Sequence, residues 1–215
     1  MRKNNSLKIY FFYFIFVYTF LFFTNTHFSY EDSLKFGGAD GFSYMSISKD
    51  APFITSEKLM SIHSERFFFP YIIGLFSIIF KMDIYLSYKI FVLITLGIIN
   101  IFIIKILRHL NLDLQKIFIL LTLINLNPYL TRFYIAVPTI INDLIFVAGV
   151  LIIIEKIITK DKSNFFVFVG YIFAFASRQT SIGIILAYFI STLVKGKKLL
   201  LTKYVIGGFL IFIFF

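Results

Sequence analysis

Long apolar runs separated by short charged stretches restrict the fold of this chain more than any other feature. About 20 apolar residues form a helix that crosses a bilayer, and somewhat fewer suffice where anchoring residues flank the helix. Hydrophobic residues make up 59% of the chain and charged residues 15%, a more apolar balance than soluble domains show. The pattern predicts an all-α, polytopic helical membrane protein, with apolar runs at 9–23, 67–80, 87–106, 117–127, 140–154, 165–177, 181–194 and 204–215.

The chain begins with a signal-peptide-like segment and ends in an apolar run. Arg2, Lys3 and Lys8 followed by the run 9–23 have the layout of a signal peptide, but no small-residue cleavage site follows in "TNTHFSYED". Because further apolar runs come later, we predict an uncleaved first span. The run 204–215 ends without a closing charge, and we therefore expect the chain to be truncated at its C-terminus.

The short run 67–80 decides the topology of everything that follows it. It contains Pro70 and Gly74, and Lys81 and Asp83 come directly after it. If this run does not cross, the inner loops carry the whole net charge of +10 and the outer side carries none, as the positive-inside rule requires. We therefore predict a juxtamembrane or re-entrant helix on the outer face, about seven transmembrane helices and a cytoplasmic N-terminus.

On this topology residues 1–215 form a single membrane domain. The first span, 9–23, is followed by a large outer loop, 24–86, that includes the juxtamembrane helix 67–80, and the remaining spans lie in 87–215. Further outer turns are expected near 128–139 and at 177–180. The charge of the chain is explained by its inner loops, so no nucleic-acid partner is predicted.

Asp40 is the first candidate for chemistry, because it lies in the Gly-rich segment "GGADGFSY" of the outer loop. The glycines permit a tight turn that directs the carboxylate towards the membrane surface. A carboxylate in this place can act as a general base towards an acceptor hydroxyl. The alternative is that Asp40 only forms a turn.

Two arginines and one histidine are further candidates on the outer side. Arg66 precedes the juxtamembrane helix, where it can bind a phosphate through two nitrogens or simply anchor the helix at the headgroups. Arg178 interrupts apolar surroundings and must face a cavity or a partner, and Asp143 could be that partner in a structural ion pair. His63 has no second His at ligand spacing and the chain has no Cys, so we predict no metal site.

The order of four short motifs resembles the GT-C superfamily of polyprenyl-phosphate-sugar-dependent membrane glycosyltransferases. An Asp-Gly-x-x-Tyr motif after the first helix is matched by "ADGFSY", and an Arg-x-x-x-Pro motif entering a juxtamembrane helix is matched by "RFFFPY". A mid-chain turn with Pro is matched by "NLNPYLTRF", and a later Thr-Arg-Glu-like motif by "SRQTSIG". The resemblance covers most of the chain.

The resemblance implies roles for individual residues. Asp40 would be the catalytic base, and Arg66 and Arg178 would hold the lipid-linked phosphate. Tyr44, His63 and Gln179 are expected to contribute to substrate binding. Two departures weaken the match, since Gln179 stands where an acidic residue is common and Asn142-Asp143 replaces a frequent Glu.

The function implied is transfer of a sugar from a polyprenyl-phosphate donor to a glycan, lipid or protein acceptor on the outer face of a bacterial cytoplasmic membrane. The donor is a lipid-linked sugar, and the resemblance leaves room for a divalent metal ion. The alternatives are a lipid or solute transporter or flippase, and a non-catalytic membrane subunit or degenerate remnant. A transporter should show paired discontinuous helices with charges near mid-membrane, whereas this sequence concentrates its polar residues in one outer loop.

Overall fold

Helices account for every regular element in the part of the chain that the structure describes. The computed structural model of the protein describes residues 2–25, 28–53, 66–159, 164–178 and 183. The all-α prediction is confirmed for these residues. His63, Gln179, the run 204–215 and all of the run 181–194 except Gly183 lie outside them.

The described helices follow the predicted apolar runs closely, and two further helices, Tyr30–Asp50 and Thr131–Ala136, lie in segments that were predicted as outer loop and turn. In chain order they are α1 (Arg2–Thr24), α2 (Tyr30–Asp50), α3 (Phe68–Phe80), α4 (Ile84–His109), α5 (Leu114–Leu126), α6 (Thr131–Ala136), α7 (Ile141–Thr159) and α8 (Asn164–Ser177). A 3-10 helix, Pro138–Ile140, leads directly into α7, so the expected outer turn near 128–139 contains two short helical pieces.

Length and composition single out one described helix as able to cross a membrane. This helix is α4, with 26 residues. Four further apolar helical stretches are shorter than a bilayer is thick, and they are Ile9–Leu21, Phe68–Phe80, Leu114–Leu126 and Phe165–Ser177. The arrangement with several spans therefore stays a prediction.

The prediction of a tight turn around Asp40 is wrong, because residues 30–50 of the predicted outer loop form helix α2. Ser29 caps this helix by accepting a hydrogen bond from the backbone N–H of Asp32, and Glu31 also lies in the first turn, where the helix dipole favours acidic residues. The helix is kinked at Gly38, whose φ of 58° and ψ of −151° only glycine adopts readily.

The neighbouring glycines of α2 serve close packing rather than a turn. Gly37 and Gly41 lie one helical turn apart and face the 3-10 helix. A Cβ atom on either residue would come within 2.9 Å of the hydroxyl oxygen of Thr139, which is fully buried. Small residues four apart let two backbones approach in this way, so the Gly-rich sequence reflects a helix contact.

A buried network joins α2, α3 and α4. The hydroxyl oxygen of Ser48 lies 2.6 Å from the carbonyl oxygen of Pro70 and 2.7 Å from the phenol oxygen of Tyr88. Tyr88 also donates to the carbonyl of Tyr44 over 2.9 Å. Gly74 allows the close contact, because a Cβ there would collide with the carbonyl oxygen of Ser48. The start of α3, and Arg66 just before it, are thereby held against α2.

The apolar core has two parts. The larger part joins α2, α3, α4 and α7 through side chains such as Met45, Ile73, Val92 and Ile145. The smaller part joins α1, α4 and α5 through Tyr10, Ile104, Ile117 and Leu121. Helix α4 contributes to both and therefore connects the two halves of the described fold.

An amide pair fixes α5 against α4 inside the smaller half. Asn100 and Asn125 are buried and donate to each other's side-chain oxygen, over 3.1 and 2.9 Å. Asn100 also donates to the phenol oxygen of Tyr18 on α1 over 2.9 Å. Each amide needs the other as a hydrogen-bond partner, because a buried amide without partners lowers the stability of the fold.

We expect Asn125→Leu to lower the free energy of unfolding by about 1–3 kcal/mol, because it leaves part of the buried Asn100 amide unpaired. The double variant Asn100→Leu/Asn125→Leu should recover part of that loss, since both polar groups are then gone. Thermal unfolding of the detergent-solubilised protein measures both. Additive losses in the double variant would show that the two amides do not stabilise each other.

Candidate functional site

Asp40, Tyr44 and Arg66 come together at the junction of α2 and α3. The Nη1 atom of Arg66 lies 3.8 Å from Oδ2 of Asp40 and donates to the phenol oxygen of Tyr44 over 3.4 Å. Asp40 and Tyr44 are one turn apart on α2 and so share a face. Sequence reasoning predicted all three residues as members of one site, and the structure brings them together.

Solvent access differs among these three side chains. The Asp40 side chain is 36% exposed and that of Arg66 is 19% exposed, whereas Tyr44 is 1% exposed. An incoming hydroxyl group can therefore reach the carboxylate. Tyr44 is the buried member of the cluster.

The phenol of Tyr44 is held in its neutral form. Burial raises the pKa of Tyr44 above its usual value, while hydrogen bonds from the side chains of Arg66 and Asn142 act in the opposite direction. The residue therefore contributes a hydrogen-bonding phenol, and no negative charge, near the Arg66 guanidinium.

Asn142 is the residue of this site that sequence reasoning missed. It is fully buried in the first turn of α7, and its Nδ2 atom donates to the backbone carbonyl of Arg66 over 3.1 Å. Its side chain also lowers the pKa of the neighbouring Tyr44 phenol, so Asn142 acts on two residues of the cluster. The available signal was an amide next to Asp143 inside the apolar run 140–154.

Arg178 is paired with Asp143. Its Nε atom donates to Oδ1 of Asp143 over 2.7 Å, and its Nη2 atom donates to the same oxygen. The bond to Asp143 raises the pKa of the Arg178 guanidinium, which keeps it charged. The structural ion pair that the sequence left open is thus formed, between the start of α7 and the residue that follows α8.

The ion pair lies beside the Asp40 cluster. The charge of Arg178 interacts with the phenols of Tyr44 and Tyr134. Burial raises the pKa of Tyr134, and the negative charge of Asp143 raises it further. The two ion pairs, Asp40–Arg66 and Asp143–Arg178, therefore neighbour each other, and the Asp40–Arg66 pair has the longer separation.

The described residues contain no group of three or more His, Cys, Asp or Glu side chains that could hold a metal ion. Comparison with protein-family models, with curated proteins and with solved structures finds no match. The cluster offers an accessible carboxylate for proton removal and, next to it, a guanidinium that can stabilise an anionic oxygen.

Proposed function

We propose that the protein is an integral membrane glycosyltransferase with GT-C-like architecture, which transfers a sugar from a polyprenyl-phosphate donor to a glycan, lipid or protein acceptor. The observation that carries the proposal is the accessible Asp40 carboxylate 3.8 Å from the Arg66 guanidinium. The motif order of the sequence supports it as a resemblance. The donor reaches this pair through the outer leaflet of a bacterial cytoplasmic membrane.

The surface of α1 supports a membrane location. Large apolar side chains exposed to between 43% and 77% follow this helix, namely Phe11, Phe12, Phe16, Phe20 and Phe23. A row of exposed phenylalanines is unfavourable in water and suits lipid. The predicted topology, with a cytoplasmic N-terminus, puts the contact between α2 and the start of α3 on the outer side, which supports the proposal.

The reaction is a displacement at the anomeric carbon. The acceptor oxygen forms a bond to that carbon while its proton passes to Asp40. The bond from the carbon to the phosphate oxygen breaks, and the phosphate leaves with the bonding electron pair. Arg66 stabilises the negative charge on the departing phosphate, and the Asp143–Arg178 pair flanks it.

The experiment that tests this function compares two arginine variants in a transfer assay with a polyprenyl-phosphate sugar in membranes. Arg66→Gln should reduce transfer by about 100-fold or more, the usual cost of removing one donor to a developing anion. Arg108→Gln is the matched control, because Arg108 is an exposed arginine in the last turn of α4 and belongs to none of the motifs of the site. Equal activity of the two variants would contradict the proposal.

A transporter is the second candidate, and one observation favours it. Glu155 and Lys156 form a buried ion pair in the distal half of α7, with Nζ 3.3 Å from Oε2 and both side chains less than 10% exposed. Buried charged residues in a membrane protein often mark ion or substrate paths, although the predicted topology puts this pair at the inner end of its span. Movement of a lipid-linked sugar across the membrane of reconstituted vesicles, without any transfer product, would favour a transporter. Inactivity in both assays would favour a non-catalytic subunit or degenerate remnant.

A further inference from the structure

Two buried polar atoms of the candidate site have no hydrogen-bond partner within the described part of the chain. They are Nε of Arg66, which is a donor, and Oδ1 of Asn142, which is an acceptor. An unpaired buried donor or acceptor is costly in a folded protein. The two side chains are close to each other, because Nδ2 of Asn142 donates to the backbone carbonyl of Arg66 over 3.1 Å and Nη1 of Arg66 donates to the phenol of Tyr44, whose pKa Asn142 also lowers.

The orientation of the Asn142 amide follows from its other contact. Its nitrogen must face the carbonyl oxygen of Arg66, because only the NH₂ side can donate to a carbonyl. The oxygen is therefore the unpaired atom, and it can only accept a hydrogen. The Arg66 guanidinium carries no acceptor, so Nε can only donate.

We propose that this site takes a phosphate group that carries a hydrogen-bond donor beside its anionic oxygens. Nε of Arg66 donates to an anionic oxygen, and Oδ1 of Asn142 accepts from the donor. An oxyanion without a hydrogen would place its negative oxygens against the lone pairs of Oδ1. Asn142 is thus a specificity-determining residue of the site.

The inference rests on the proposed function, which puts a phosphate at Arg66, and it narrows the class of substrate. A glycosyl phosphate fits, because sugar hydroxyls next to the ester supply the donor. A carrier phosphate ester without a nearby hydroxyl leaves Oδ1 unpaired once it is fully ionised. The sugar-loaded carrier is therefore favoured over the spent one.

Inorganic phosphate and sulfate provide the test, since they have similar size and shape. At about pH 8.5, above the second phosphate pKa, both are dianions but only phosphate carries a hydrogen. Equilibrium dialysis of the full chain in detergent, with each radiolabelled anion, should show phosphate bound at least about tenfold more tightly. Arg66→Gln should weaken the binding of both anions.

Equal affinity for the two anions, lost in Arg66→Gln, would overturn the inference and leave the proposed anion site standing. Binding of neither anion would contradict both. Asn142→Leu should abolish the preference for phosphate. Asn25→Leu is the matched control, because Asn25 makes the equivalent bond from Nδ2 to the backbone carbonyl of Arg132, over 2.9 Å, away from the site. If Asn142→Leu does not fold, the affinities of the unmodified chain for phosphate and sulfate still test the inference.

Discussion

Asp40→Asn is expected to lower sugar transfer by about 10²- to 10⁴-fold, the range that a positioned general base contributes. The amide has nearly the shape of the carboxylate but does not take up the acceptor proton. Because the Asp40–Arg66 pair is partly exposed and long, its loss should change stability little. Transfer from a polyprenyl-phosphate sugar, normalised to protein abundance in the membrane, measures the effect.

Glu31→Gln is the matched control for this variant. Glu31 is an exposed carboxylate on the same helix, in the first turn of α2 and away from Arg66. Its replacement removes the same charge and should leave transfer unchanged. Full activity of Asp40→Asn would remove Asp40 from the chemistry, and equal losses in both variants would point to the charge of α2 instead.

Gly149→Ala is expected to destabilise the protein by about 1–3 kcal/mol, the usual cost of overpacking a close contact. A Cβ at Gly149 would lie 2.6 Å from both the carbonyl oxygen of Gly170 and the backbone nitrogen of Ala174. These are backbone atoms that no rotamer change can move, so α7 and α8 must separate. Thermal unfolding in detergent measures the loss.

Gly97→Ala provides the comparison within another apolar helix. A Cβ at Gly97 meets nothing within 4 Å, and alanine has the higher helix propensity. This variant should be neutral or more stable than the unmodified chain by up to about 1 kcal/mol. If both glycine variants lost the same stability, helix separation at Gly149 could not be the cause.

The helices and the main site residues could be predicted from sequence because their signals are local. Apolar runs marked α1, α3, α4, α5, α7 and α8, since each helix is coded by consecutive residues. Arg66 and Asp40 were expected in one site from the order of their motifs. Their approach to 3.8 Å agrees with that expectation.

The rest depended on contacts between distant residues. Helix α2 was predicted as part of a loop because its glycines disfavour helices in isolation, whereas Gly37 and Gly41 here pack against Thr139. Asn142 was not predicted as a site residue, because its importance comes from Arg66, which lies 76 residues away in the chain. The local pattern showed only a polar pair, Asn142-Asp143, inside an apolar run, and it did not show which distant residue this pair meets.

The network of Ser48, Pro70 and Tyr88 bears on how the protein can move. Since it ties α2 to α3 close to both Asp40 and Arg66, the carboxylate and the guanidinium are held together as one unit. The two groups on which the proposed transfer depends are therefore in place before any donor binds.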